Sequence, residues 1–251
     1  MSPATHVRSG RLAAPEARRR IFTSVAVLIG VAAALFVVGL VLGLAFVGVH
    51  GGGLIQGWDN QVGAWELHNR AGLVGVAKVV AFIGDAPKLA VVVVVISAIW
   101  FAVTRSIRSL VPLAAYLGGE FQVFAIRHVI HRHRPPTANY PAPGAVPGVH
   151  ETTYSYPSGH SVAVTSVLIA MAATAWFTYR WLWPWILAVL ASLFVLDTRL
   201  ILGVHWFSDV TFGFLLGVGW GITVAAVGQR VEWADALALL PGRRGSRTAR
   251  A

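Results

Sequence analysis

The sequence contains no cysteine and few charged residues. Of its 251 residues, 12% are charged and 56% are hydrophobic. Without cysteine the chain can form no disulfide, no thiolate nucleophile and no cysteine-ligated metal site. The charged fraction is about half that of an average soluble domain, and the apolar runs are too long for a soluble core. This composition predicts an integral membrane protein of the all-α class.

Acidic residues are scarcer than basic ones: 10 Asp and Glu stand against 20 Lys and Arg, for a formal net charge of +10. A basic excess can indicate nucleic-acid binding, but here the arginines lie between apolar runs and near the ends of the chain, not along one soluble face. Arginines so placed set the orientation of a membrane protein and contact anionic lipid headgroups. We therefore expect the membrane bilayer as a partner, and no nucleic acid.

Six apolar runs are long enough to cross a bilayer, which takes about 20 residues of helix. They lie at 21–49, 88–104, 110–130, 158–179, 181–202 and 205–227. After the first run, the segment 50–71 is Gly-rich and then amphipathic, which is typical of a helix at the membrane interface. The expected fold is a six-transmembrane helical bundle with an interfacial helix segment after the first span.

Two basic segments flank this bundle. Residues 1–20 are polar, rich in arginine and lack an apolar pattern, and residues 229–251 carry five arginines. We therefore expect a disordered cytosolic arm and a basic cytosolic tail around a six-span domain at 21–228. Six spans place both termini on one side of the membrane. Thirteen of the 20 Lys and Arg residues lie in these segments and in the turns after the second and fourth spans. The positive-inside rule then predicts a cytoplasmic (inner) membrane protein with cytoplasmic termini. On this topology, the three polar clusters described next lie together on the outward face.

The first cluster, from Arg127 to Pro135, includes the end of the third span and the start of the next loop, and contains three arginines and three histidines. Arg127 and Arg134 are seven residues apart, close to two helical turns, so we expect them to project from one face. Two guanidinium groups so placed can bind phosphate oxygens. A basic interfacial cap that contacts lipid headgroups is the alternative.

The second cluster, from Tyr156 to Ser161, stands at the start of the fourth span. Ser158 is a candidate N-cap and Gly159 allows a ligand to approach the backbone closely. Together they predict an anion-binding site at a helix N terminus. His160, in the first turn, could transfer a proton to a leaving oxygen. The alternative is an ordinary Pro-Ser helix start with an incidental histidine.

The third cluster, from Asp197 to Asp209, places ionisable groups inside apolar sequence. Such groups are expensive in a membrane and therefore indicate a functional site. His205 and Asp209 are four residues apart, so on a helix they share a face, and Asp209 could orient His205 as a nucleophile. Arg199 could neutralise charge on the attacked group. Alternatively, the pair is a buried contact that only holds the sixth span in place.

Two acids stand close to these clusters in sequence, Glu120 before Arg127 and Asp197 before Arg199. We expect them to hold the two arginines in place, and ion pairs without a functional role are an equal possibility. The nine histidines do not predict a metal site, because no pair of carboxylates accompanies them at ligand spacing. We expect no metal and no other cofactor.

Together the three clusters resemble the type 2 phosphatidic acid phosphatase superfamily. Its motifs, Lys-x6-Arg-Pro, Pro-Ser-Gly-His and Ser-Arg-x5-His-x3-Asp, occur here in the same order, with Arg127 in place of the lysine and Thr198 in place of the serine. The resemblance covers roughly residues 55–228. It implies a metal-independent hydrolase that removes phosphate from a lipid through a phosphohistidine. Polyprenyl diphosphate, phosphatidic acid and phosphatidylglycerol phosphate are the substrates it suggests.

The resemblance also implies roles for individual residues. His205 would attack phosphorus, Asp209 would orient His205, and His160 would serve as general acid and then as base. The residues that would bind the phosphate oxygens are Arg127, Arg134, Ser158, Gly159 and Arg199. Because arginine is bulkier than lysine, Arg127 is expected to change the shape of the substrate pocket. Two alternatives remain, a lipid phosphotransferase with an acceptor other than water and a non-catalytic lipid-binding membrane protein.

Overall fold

The structure is a computed structural model that describes residues 14–231. Eight α-helices and two short 3₁₀-helices, Ile107–Leu110 and Pro136–Ala138, lie in this range, and no β-strand does. The α-helices are α1 Ala14–Leu42, which continues as a π-helical turn over Gly43–Val47, α2 Gln56–Asn69, α3 Val74–Gly84, α4 Ala86–Thr104, α5 Val111–Arg127, α6 Gly159–Tyr179, α7 Trp183–Ile201 and α8 Phe207–Gly228. Helices α1, α4, α5, α6, α7 and α8 are long and apolar enough to cross a membrane. The predicted all-α, six-span architecture is confirmed.

Most helix boundaries lie within about two residues of the prediction, and two larger differences concern the first cluster and the N-terminal arm. Helix α5 ends at Arg127, so the end of the predicted third span, 128–130, belongs to the following loop. Helix α1 begins at Ala14 and includes the last seven residues of the arm that was expected to be disordered. The remaining parts of the predicted arm and tail, residues 1–13 and 232–251, lie outside the described residues.

Helix α6 is the centre of the bundle and packs against α5, α7 and α8. Glycines four residues apart on α8, Gly213, Gly217 and Gly221, allow its backbone to approach α6 closely. A Cβ at Gly217 would lie 2.8 Å from the carbonyl oxygen of Val162, and one at Gly221 would lie 2.7 Å from the carbonyl oxygen of Ser166. This contact brings the N termini of α6 and α8, and with them the second and third clusters, side by side.

Helix α2, predicted to lie at the membrane interface, contacts α7 and α8. Its tryptophans Trp58 and Trp65 are 66% and 62% exposed, whereas its acids Asp59 and Glu66 are 0% and 7% exposed. The charged side chains therefore point into the protein and the aromatic ones away from it. An outward aromatic face suits the headgroup region of a bilayer, and the inward acids require partners within the protein.

Glu66 has such a partner in α7. Its carboxyl group forms a hydrogen bond with the side chain of Asp197, and burial together with the charge of Asp197 raises the pKa of Glu66 to about 7. Because two neighbouring carboxylates repel each other, the pair is most stable when it shares a proton. The folded protein therefore keeps a proton on Glu66 at pH values where the unfolded chain has lost it.

Linkage gives the sign of the resulting pH dependence. The pKa of Glu66 is higher in the folded state, so its contribution to stability is full below about pH 4.5 and disappears as the pH rises towards 7. We expect Glu66→Gln, which keeps a donor to Asp197 and removes the titration, to melt like the wild type at pH 5 and at a higher temperature at pH 8. Thermal unfolding in detergent across this range is the measurement, with Asp85→Asn as a control on a half-exposed acid. A difference between Glu66→Gln and wild type that stays constant with pH would contradict this account.

Candidate active site

The three clusters meet at one end of the bundle, where α5 and α7 end and α6 and α8 begin. The backbone N–H of Ser158 donates to the carbonyl oxygen of Asp209 at 3.1 Å, which joins the second cluster to the third. A Cβ at Gly159 would lie 3.6 Å from Nη2 of Arg127, so the first cluster is adjacent as well. Segments that are distant in sequence therefore form one polar site, as the span count predicts.

His205 lies in the turn between α7 and α8 and is 4% exposed. Its Nε2 is 3.1 Å from Nη1 of Arg134, and its Nδ1 is 3.3 Å from Oγ of Ser155 and 3.4 Å from Oδ2 of Asp209. A guanidinium can only donate, so this pattern assigns the proton to Nδ1 and a lone pair to Nε2. Burial, then the positive charges of Arg134 and Arg199, lower the pKa of His205 well below its ordinary value. The imidazole is therefore neutral, as a nucleophile must be.

Asp209 contacts His205, but not through the helical spacing that the sequence suggested. Helix α8 begins at Phe207, so His205 precedes the helix and only Asp209 belongs to its first turn. Oδ2 of Asp209 accepts hydrogen bonds from Oγ of Ser155 at 2.5 Å and from the backbone N–H of Trp206 at 2.9 Å. These contacts hold the carboxylate against Nδ1 of His205.

Arg127 and Arg134 of the first cluster also come together by another route than predicted. Arg127 is the last residue of α5, whereas Arg134 lies in the loop beyond it, so they do not share a helix face. Thr153 joins them instead: its Oγ1 accepts from Arg134 at 3.0 Å and from Arg127 at 3.4 Å. Arg127 also donates to the carbonyl oxygen of Pro157 at 3.0 Å, which joins the first cluster to the second.

Arg199, in the last turn of α7, is 2% exposed and contacts a carboxylate that sequence reasoning missed. Its Nη2 is 2.7 Å from Oε1 of Glu151, whose Oε2 is 3.3 Å from Nη2 of Arg134. Glu151 therefore links two arginines of the site. The Nε of Arg199 is buried and has no hydrogen-bond partner among the described residues. The expected partner, Asp197, contacts Glu66 instead, and Glu120 lines a cavity together with Arg127.

Ser158 and His160 occupy the positions predicted for them. Ser158 is the N-cap of α6 and its side chain accepts from the backbone N–H of Ser161. His160 lies in the first turn, where its Nε2 is 3.0 Å from the carbonyl oxygen of Ala81 in α3. A carbonyl can only accept, so Nε2 carries a proton and Nδ1 is left for a ligand. A Cβ at Gly84 would lie 2.8 Å from the His160 ring, so the end of α3 fixes the ring in place.

Arg132 forms a buried ionic link that the sequence motifs do not indicate. It is 1% exposed, with Nη2 2.5 Å from Oδ2 of Asp59 and Nη1 2.6 Å from Oδ1 of Asp209. Ser208 completes the link, because its backbone N–H and hydroxyl donate to Asp59 at 2.8 and 2.7 Å. Helix α2 is thereby connected through Arg132 to the carboxylate that contacts His205.

The site offers no evident metal-binding group. In the part of the chain that the structure describes, no three histidine or acidic side chains cluster so that they could hold a metal ion. Three acids of the site contact arginines instead: Asp59, Glu151 and Asp209. What the arrangement offers chemically is a neutral imidazole with a lone pair, a second histidine, and several guanidinium groups that can bind an oxyanion.

Comparisons with known proteins find similar sequences and a similar fold. An undecaprenyl-diphosphatase from Sulfolobus acidocaldarius is 39% identical over 66 residues, which is 26% of this chain and 30% of that protein. The chain thus matches less than a third of the length of this relative. The crystal structure of a transmembrane PAP2 type phosphatidylglycerolphosphate phosphatase from Bacillus subtilis superposes with a TM-score of 0.62 and 24% identity, over 79% of this chain and 94% of that one.

The family match covers the three clusters of the site but not all of the residues around them. Residues 108–233, about half of the chain, match the family model described as the PAP2 superfamily. This range contains all three clusters, from Arg127 to Asp209, but neither Asp59 nor α3. The match, the shared fold and the three motifs agree, and the chain belongs to the PAP2 superfamily.

Proposed function

We propose that the protein is a membrane phosphatase that hydrolyses a lipid phosphate or diphosphate through a phosphohistidine, without a metal or other cofactor. One observation carries this proposal: Nε2 of His205 has a lone pair and lies 3.1 Å from Nη1 of Arg134, while Asp209 is placed against Nδ1. A phosphate group bound by the arginines would therefore stand directly before a neutral nucleophile.

In the first step, Nε2 of His205 forms a bond to phosphorus and the bond from phosphorus to the leaving oxygen breaks. Asp209 stabilises the positive charge that develops on the imidazole, whose Nδ1 keeps its proton. The negative charge of a bound phosphate favours protonation of Nδ1 of His160, and His160 then gives this proton to the leaving oxygen. Arg127, Arg134 and Arg199 neutralise the equatorial oxygens, with the N terminus of α6 at Ser158 and Gly159 beside them.

In the second step, water replaces the leaving group. His160, now neutral, takes a proton from this water, whose oxygen attacks the phosphorus of the phosphohistidine. The bond to Nε2 breaks, which returns His205 to its neutral form and releases inorganic phosphate. The cycle consumes one water and needs no oxidant, reductant or metal.

The distribution of arginines supports an outward orientation of this site. Arg105 and Arg180 follow the ends of α4 and α6 that lie opposite the clusters, and Arg230 follows the same end of α8. The positive-inside rule assigns that end to the cytoplasm. We therefore place the protein in the cytoplasmic membrane with its site at the outer surface, where the phosphate of a lipid headgroup lies.

The test is phosphate release by detergent-purified protein from lipid monophosphates and diphosphates, with His205→Ala as the blank. We expect inorganic phosphate to appear without any added acceptor, to be unaffected by a metal chelator and to be blocked by vanadate, which mimics a five-coordinate phosphorus. Loss of activity in chelator would contradict the metal-free mechanism. Phosphate release only when an alcohol acceptor is added would identify a transferase, and no release under either condition would indicate a lipid-binding protein.

A further inference from the structure

Besides a cavity of about 270 Å³ between His205 and α2, two cavities open on the site from different sides. One, of about 550 Å³, is lined by Arg127 and Thr153. The other, of about 410 Å³, is lined by His160, Arg199 and Glu151 and extends to α3 and α4. Arg134 lies between them, since it contacts Thr153 of the first and Glu151 of the second. The attacked phosphate therefore has a different environment on each side.

The cavity next to His160 contains both lysines of the protein. Among the 20 basic residues of the 251-residue sequence, only Lys78 and Lys88 are lysines, and both line this cavity. Nζ of Lys78 donates to the carbonyl oxygen of Pro147 at 2.6 Å, and Nζ of Lys88 to Oδ2 of Asp85 at 2.8 Å. An ammonium group has three donors, so each contact uses one of them. Both side chains can bind a further acceptor.

The mechanism assigns this cavity to the leaving group. Phosphoryl transfer places the attacking and leaving atoms roughly in line, so the leaving oxygen is on the side of phosphorus away from His205. His160 must reach that oxygen to protonate it, and His160 lines the cavity with the lysines. Whatever is attached to the leaving oxygen therefore lies near Lys78 and Lys88.

The charges in this cavity favour an anion. Lys78, Lys88 and Arg199 contribute three positive charges, against two carboxylates, Asp85 and Glu151. The other cavity holds one arginine, Arg127, and one acid, Glu120. A lipid alcohol as leaving group would gain little from ammonium groups, whereas a phosphate would form charge-assisted hydrogen bonds with them.

We infer that Lys78 and Lys88 form a subsite for a second phosphate on the leaving-group side of the attacked phosphorus. This inference rests on the proposed function and narrows its substrate class to lipids that carry two phosphates. Two chemistries fit: a lipid diphosphate, in which the second phosphate bears the leaving oxygen, and a glycerophospholipid in which a phosphodiester lies a few atoms beyond it. A lipid with a single phosphate would leave the subsite empty.

The test compares substrates that share a lipid and differ by one phosphate. The pairs are a polyprenyl diphosphate against its monophosphate, and phosphatidylglycerol phosphate against phosphatidic acid. The variants are Lys78→Gln, Lys88→Gln and the double variant, with Lys→Arg changes at both positions to restore charge. Arg230→Gln, at the far end of α8, removes a charge outside the site and serves as the control.

For the substrate with two phosphates, we expect each Lys→Gln change to lower kcat/KM about tenfold and the double change about 100-fold, as for the loss of charged hydrogen bonds. For the monophosphates kcat/KM should change by less than about threefold. Arginine should restore most of the loss, and an unchanged melting temperature shows that the variants are folded. Whichever pair shows the larger difference identifies the source of the second phosphate.

Equal losses on both members of each pair, or a wild-type enzyme without preference for the second phosphate, would overturn the subsite while leaving the phosphatase proposal intact. Release of phosphate from none of these lipids by the wild type would instead overturn the proposed function, and the subsite with it.

Discussion

His205→Ala is expected to lower kcat for phosphate release by about 10⁴-fold or more. The reason is positional, because Nε2 of His205 lies 3.1 Å from Nη1 of Arg134 and carries the lone pair that the arginines face. The neighbouring hydroxyl of Ser155 donates to Asp209 and cannot take over this role without losing that contact. Substrate binding should change far less than kcat, since the guanidinium groups remain.

The measurement should separate loss of the nucleophile from loss of the fold. When the reaction with labelled substrate is quenched in alkali, a labelled phosphoenzyme should be found for the wild type and none for His205→Ala. Both proteins should still bind a lipid phosphate in the absence of vanadate. His68→Ala is the matched control, because His68 is an exposed histidine of α2. If His205→Ala kept more than about a hundredth of the wild-type rate, another group would have to be the nucleophile.

The spans and the convergence of the clusters could be predicted from sequence, because both depend on coarse properties. A bilayer demands about 20 apolar residues per span, and such runs stand out from the polar loops. Successive spans cross the bilayer in opposite directions, so the order of the spans fixes which loops lie on the same side of the membrane. The N-cap at Ser158 could also be predicted from the sequence, since the side chain of a serine before an apolar helix can accept hydrogen bonds from free N–H groups of the first turn.

Local geometry within the site was predicted less well, because the arguments from residue spacing assumed that the helices extend through the clusters. Arg127 and Arg134 were expected on one helix face, but α5 ends at Arg127. Asp197 was paired with Arg199 because they are close in sequence. Residues two apart on a helix point in different directions, so Asp197 in α7 contacts Glu66 of α2 while Arg199 faces the site.

The remaining contacts join residues that no local pattern connects. Glu151 lies in the loop at 131–157, which has no periodicity, and its role depends on where that loop returns to Arg134 and Arg199. Asp59 is 73 residues from Arg132 along the chain. The sequence signal for this contact was the position of Asp59 on an amphipathic helix, directly after a tryptophan. This signal indicates a buried partner for Asp59 but does not identify it.

Substitution of Arg132, the buried partner of Asp59, is expected to have the largest effect on the stability of the protein. Arg132 is 1% exposed and is placed between two carboxylates that are fully buried, Asp59 and Asp209. Replacing it with methionine, which is unbranched and has no charge, leaves both carboxylates without their counter-charge. Removing one member of a buried ion pair typically costs about 3–5 kcal/mol. We expect Arg132→Met to lower the free energy of unfolding by this amount, whereas Arg230→Met, at an exposed arginine, should change it by less than about 0.5 kcal/mol.

A second substitution distinguishes uncompensated charge from lost packing. Adding Asp59→Asn to Arg132→Met removes one of the two stranded carboxylates, so the double variant should be more stable than Arg132→Met alone. Asp209 would still have the hydroxyl of Ser155 and the N–H of Trp206 as donors. If packing of the arginine side chain were the main contribution, the second change would only add to the damage, and the double variant would be the less stable of the two. Unfolding by heat or denaturant in detergent decides between these outcomes, because the two explanations predict opposite signs for the same comparison.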